Sequence, residues 1–150
     1  EHGGVVDKIM GDAVMAVFGL LEADVASPQL ATRAAVGILR NLAEVNHSRA
    51  AAGQHCLEAG IGITTGPVAV GLIGSQDRRG FSAIGHHVNF ASRLQGQARP
   101  GEILIDETTH RLLKQDGVCY NERRLQLKGL AQPVLAWSYF PLLAGREPWE

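Results

Sequence analysis

Val5-Val6-Asp7-Lys8-Ile9-Met10-Gly11-Asp12-Ala13-Val14-Met15-Ala16-Val17-Phe18 is the stretch that decides the fold. Two apolar runs flank a tight turn carrying a lysine and carboxylates, and the pattern reads as a short β-hairpin. Gly11 supplies a permissive backbone at the turn, and Asp12 sits where its oxygens face outward. Strict alternation places Val6, Lys8 and Met10 on one face and Val5, Asp7 and Ile9 on the other. Further along, Gly85-His86-His87-Val88-Asn89-Phe90-Ala91-Ser92-Arg93-Leu94 sets an Asn and an Arg four residues apart. On a helix those two side chains share one face. A lysine, an acid suited to a metal, an amide and an arginine form a set able to handle a nucleoside triphosphate.

Between and beyond these motifs the elements are punctuated clearly. Ser27-Pro28 opens a helix, with Ser27 as cap and Pro28 at the first position, and apolar residues from Leu30 to Val45 recur at helical spacing to about Ala51. Gly53 is the stop. Strands are expected over 57–63, 68–73, 81–84, 102–105, 118–127 and 134–140. Helices are expected over 87–98 and 107–114, the latter capped by Asp106. Hairpins alternate with crossovers, which predicts an α/β (α+β) domain with a mixed sheet flanked by helices.

Composition narrows the function classes. The 150 residues suit one domain, which buries roughly 68–70% of its unfolded surface. A formal net charge of −1 offers no polybasic footprint for nucleic acid or anionic lipid. The apolar run from Ala13 ends at Glu22, far short of the roughly 18 residues that mark a membrane span. Cys56 and Cys119 are isolated, which suits a reducing cytosol and a cytoplasmic location. Gly60, Gly62 and Gly66 make G-x-G-x-x-x-G, one residue too long for a dinucleotide fingerprint, and no G-x-x-x-x-G-K followed by Ser or Thr occurs. The chain opens on Glu1 rather than Met and reads as a piece of a longer protein.

The motifs resemble those of the class III adenylate/guanylate cyclase catalytic domain of bacterial type, and the resemblance runs from Glu1 to about Phe140. It implies a ferredoxin-like βαββαβ core whose first strand lies before Glu1. Lys8 and Asp12 occupy the lysine and aspartate of K-x-x-G-D, which in the family contact the adenine ring and a Mg²⁺ or Mn²⁺ ion respectively. A hard cation of this kind prefers carboxylate and phosphate oxygens. Guanylate-specific members carry Glu in place of the lysine. Asn89 and Arg93 match V-N-x-A-x-R, where Asn orients the ribose and Arg neutralises charge on the α-phosphate. Ser82, three residues before Gly85, occupies the second base-selecting position. Its hydroxyl can accept from the adenine amino group. Lys128, in Leu127-Lys128-Gly129, resembles the lysine that touches the terminal phosphates, and Arg78 in the loop before Phe81 is a second cation for that task. His86-His87 stands where the family usually has Asp or Asn and a small residue. Adjacent helical residues diverge, so these histidines make a poor metal pair.

The activity so implied is conversion of ATP to 3′,5′-cyclic AMP and pyrophosphate with two metal ions per site. The sites lie at the interface of a homodimer, with Lys8 and Asp12 of one chain serving opposite sites. The family's second metal aspartate belongs to an F-x-D strand preceding the hairpin, so residues 1–150 alone are expected to make essentially no cyclic AMP. Two other readings stay open. A non-catalytic cyclase-like module for regulation or dimerisation is opposed by the intact Lys8, Asp12, Asn89 and Arg93. A guanylate cyclase is opposed by Lys8 with Ser82. Residues 141–150 read as a linker, in which Gly145-Arg146-Glu147 resembles the opening of ATPase modules that follow bacterial cyclase domains.

Overall fold

A mixed four-stranded sheet, ordered Ile61–Ile63, Ile103–Ile105, Val134–Tyr139, Asn121–Leu125, forms the centre of the computed structural model, which describes residues 3–20, 26–73, 80–113 and 120–142. In chain order the elements are β1 (Val5–Met10), β2 (Ala13–Val17), α1 (Ser27–Ala51), β3 (Ile61–Ile63), β4 (Ala69–Ile73), β5 (Gly80–Ile84), α2 (His86–Gln95), β6 (Ile103–Ile105), α3 (Glu107–Leu113), β7 (Asn121–Leu125) and β8 (Val134–Tyr139). β3 runs parallel to β6, as a crossover through α2 requires, while β8 is antiparallel to both β6 and β7. The hairpins β1–β2 and β4–β5 each pair within themselves among the described residues. The expected α+β class with a mixed sheet is what the chain adopts.

Burial follows from the sheet's two faces. β6 reads Ile103-Leu104-Ile105 and is wholly buried, because both of its faces are covered. Ile103 and Ile105 pack with Ala35, Val36 and Leu39 of α1, Leu113 of α3 and Tyr139 of β8. Leu104 points the other way, into Leu94 of α2, Leu125, Leu127 and Ala136. One face of the sheet therefore holds α1 and α3, and the opposite face holds α2. Glycines set how closely α2 approaches. A Cβ on Gly62 would lie 2.5 Å from the backbone nitrogen of Gln95 and 3.0 Å from Leu94 Cβ, and one on Gly60 would lie 2.8 Å from Ala98 Cβ. These glycines exist so that a helix can rest directly on β3, a structural use that replaces any phosphate-binding one.

Two helix starts are worth contrasting. α1 has Ala26 at its N-cap with no side-chain cap, so Ser27 and Pro28 fall one position later than expected. Pro28 still suits the first turn, because its missing N–H would find no partner there. Asp106 does cap α3: its Oδ1 accepts the Thr109 N–H at 2.9 Å and the Thr109 hydroxyl at 2.5 Å. α1 ends as predicted at Gly53, with φ +68°.

Glu102, fully buried at the head of β6, ties the sheet together. Its carboxylate accepts from Ser138 of β8, from Arg123 of β7 and, at 2.7 Å, from the Arg99 backbone N–H. Burial alone would push this carboxyl up. The hydrogen bonds from Ser138, Arg99 and Arg123, with the Arg123 charge, outweigh it and hold Glu102 below the ordinary carboxylate range.

Candidate functional site

The β1–β2 hairpin departs from strict alternation at one point, and that departure builds the site. Val6 pairs with Ala16, but Lys8 pairs with Met15, so Asp7 is an extra residue in β1. A β-bulge of this kind lets two neighbouring residues turn to the same side. Consequently Asp7 and Lys8 do not face opposite ways, as the alternation predicts. Both reach β5, while Val6, Ile9 and Val14 lie exposed on the far face. Lys8 Nζ donates to Ser82 Oγ at 2.5 Å, although the two residues are 74 apart in sequence. Asp7 Oδ2 takes the Lys8 ammonium at 3.1 Å and the Ser82 hydroxyl at 3.2 Å, and Asp7 Oδ1 accepts the Ala83 N–H at 3.2 Å. The Asp7 side chain is 2% exposed and that of Lys8 37%, so the carboxylate is sealed beneath a lysine that reaches solvent. Sequence reasoning left Asp7 out. The usable signal was an acid directly beside the lysine, but only a bulge lets such neighbours cooperate.

A second cluster forms around α2. Asn89 and Arg93 stand one turn apart, Asn89 exposed and Arg93 half-buried. Arg93 extends to the turn after Leu127: a Cβ on Gly129 would lie 3.5 Å from Arg93 Nη2. Gly129 has φ +82°, a conformation that favours glycine, so the turn can fold back beside the guanidinium. Lys128, exposed, precedes Gly129 in that turn. Asp12 is exposed at the β1–β2 turn beside Gly11, whose φ is +64°. Among the described residues Asp12, Asn89, Arg93 and Lys128 make no side-chain hydrogen bond or ion pair, so their polar groups are available to a ligand. Arg78 lies outside the described residues, as do Cys119 and residues 143–150.

His86 and His87 make a T-shaped ring contact with centroids 5.6 Å apart, and His86 stacks on Phe90 at 5.9 Å. The His87 ring covers Gly66, where any Cβ would overlap it. These histidines are packing at a helix entry. Among the described residues no group of three His, Cys, Asp or Glu side chains is arranged to hold a metal. Asp12 nonetheless fits one ligand position for a hard divalent cation, since among the described residues its carboxylate is exposed and unpaired. No helix among the described residues is long and apolar enough to cross a membrane.

The profile of the "Adenylate and Guanylate cyclase catalytic domain" matches residues 4–139. The chain belongs to that family. An adenylate cyclase from Anabaena cylindrica is 35% identical over 119 residues, covering 75% of this chain and 23% of the relative. Among solved structures, the guanylyl cyclase Cya2 superposes with a TM-score of 0.84 at 34% identity, over 91% of this chain and 70% of that one. The adenylyl cyclase CyaB from P. aeruginosa gives 0.83 at 29% identity, over 91% and 71%. The chain thus spans less than a quarter of the curated cyclase from Anabaena cylindrica, and relatives of both base specificities share its fold.

Proposed function

We propose that this cyclase domain converts ATP to 3′,5′-cyclic AMP and pyrophosphate at sites shared between two copies of the chain. The observation that carries the choice of ATP is the Lys8–Ser82 pair, joined at 2.5 Å on a lysine side chain that is 37% exposed. An ammonium can donate to the ring nitrogen that adenine presents as an acceptor, and a hydroxyl oxygen can accept from its amino group. Guanine presents the opposite polarity at both places.

Asn89 would hold the ribose, and Arg93, with Lys128 and Arg78 nearer the terminal phosphates, would neutralise the triphosphate. What supports this role for Arg93 is its position on α2 as a half-buried residue whose Nη2 lies close to the Gly129 turn. Asp12 would hold Mg²⁺ or Mn²⁺. Two such ions would lower the charge on the ribose 3′-oxygen and the triphosphate. Isolated cysteines favour a cytoplasmic setting.

A guanylate reading draws support from Cya2, a guanylyl cyclase at 34% identity. Steady-state kinetics of the intact protein separate the two. ATP should exceed GTP in kcat/KM, and Lys8→Glu should lower the ATP value by about tenfold or more, since a donor is replaced by an acceptor. The thermal midpoint should fall as well, because Lys8→Glu leaves the sealed Asp7 carboxylate facing a like charge, so the comparison is made on folded protein and on the ratio of the two nucleotides. Equal kcat/KM for the two nucleotides in the unaltered protein would remove the base-reading role from Lys8 and Ser82.

A further inference from the structure

We propose that Asp7 is the positioning residue that gives this site its preference for adenine, by fixing the Ser82 hydroxyl as an acceptor and leaving Lys8 one outward donor. The inference rests on the base-reading assignment of Lys8 and Ser82 above.

A serine hydroxyl is ambivalent. It carries one proton and two lone pairs, and free to rotate it serves an amino group or a carbonyl equally well. Here it is not free. Its proton is directed to Asp7 Oδ2 at 3.2 Å, and Lys8 Nζ donates to its oxygen at 2.5 Å. A carboxylate can only accept, so it cannot exchange roles with the hydroxyl. One lone pair of Ser82 Oγ remains. The Lys8 ammonium has three N–H groups; one is spent on Ser82 and one on Asp7 at 3.1 Å, which leaves one. The pair therefore offers a base one acceptor and one donor. Adenine, with its N6 amino group and N1 acceptor, completes both. Guanine, with an O6 acceptor and an N1 proton, opposes both.

Asp7 is built for this task. Its side chain is 2% exposed, so water does not compete for Oδ2. Its other oxygen is pinned by the Ala83 N–H, and the bulge turns it to the side of Lys8. A purely structural role, bridging the β1–β2 and β4–β5 hairpins, is the competing use of the same contacts. That role would affect both nucleotides alike.

The test is the ratio of kcat/KM for ATP to that for GTP in the intact protein, measured for the unaltered chain, Asp7→Asn, Ser82→Ala and the double variant. In Asp7→Asn the Ala83 N–H keeps the amide oxygen, so the NH₂ faces Ser82 and donates to it, releasing the hydroxyl proton toward the base. The ratio should fall about tenfold or more. In the Ser82→Ala background the same change should move it by a clearly smaller factor, since only the Lys8 contact is then altered and there is no hydroxyl left to orient. Partial unfolding does not blur the result, because both nucleotides meet the same folded fraction. An unchanged ratio in Asp7→Asn, or an equal fall with and without Ser82, would overturn the proposal while the base-reading assignment stands. An unaltered protein that does not favour ATP would overturn that assignment, and this proposal with it.

Discussion

Arg93→Ala is expected to lower kcat for ATP by about 10²–10³-fold, the usual cost of removing one preorganised donor from a developing charge. KM should change much less, because such a contact strengthens mainly in the transition state. The expectation follows from placement: α2 presents Arg93 half-buried, without a hydrogen-bond or ion-pair partner among the described residues, with Nη2 beside the Gly129 turn. Arg93→Lys should recover only part of the loss, since a point charge lacks the planar fork of the guanidinium. Steady-state kinetics on folded variants, with circular dichroism as a check on folding, measures both. An unchanged kcat would make Arg93 an ordinary surface cation.

Asp12→Ala should be nearly inactive, and mixing it with Lys8→Ala should restore activity. Lys8 lies on the strand and Asp12 in the turn roughly 10 Å further along the hairpin, at about 3.3 Å per residue. If one chain's Lys8 and the partner subunit's carboxylate complete one site, a mixed dimer holds one intact site and one doubly damaged site. Random pairing under two-fold symmetry then gives about a quarter of the unaltered activity. No recovery in a mixed dimer demonstrated by mass spectrometry would place Lys8 and Asp12 in the same site.

Much of this fold is legible in the sequence because its punctuation is strong. Gly53 ends α1 where expected, Asp106 caps α3, and the apolar triplet Ile103-Leu104-Ile105 declares a strand covered on both faces. Element ends were less legible. The strand expected over 57–63 shrinks to Ile61–Ile63, because only those residues pair with a neighbouring strand, Ile103–Ile105, while Leu57 bonds to the Asn46 side chain and Ala59 to the Gly101 turn. Lys8, Ser82, Asn89, Arg93, Lys128 and Asp12 could be named from motifs, yet two relations between them could not. A period-two pattern gives no warning of a bulge, so the cooperation of Asp7 with Lys8 and Ser82 emerges only in three dimensions. The approach of Arg93 to the Gly129 turn likewise depends on how α2 rests on β3, which Gly60 and Gly62 control through backbone contacts. Read as a sequence, those glycines suggest only a failed nucleotide fingerprint.

The most direct measurement is identification of the products that the intact protein forms from ATP and from GTP with Mg²⁺ or Mn²⁺, by chromatography and mass spectrometry. The expected result is 3′,5′-cyclic AMP and pyrophosphate in equal amounts, with ATP used at least about tenfold better than GTP. Cyclic GMP formed ahead of cyclic AMP, or a folded, nucleotide-binding protein that cyclises neither, would contradict it.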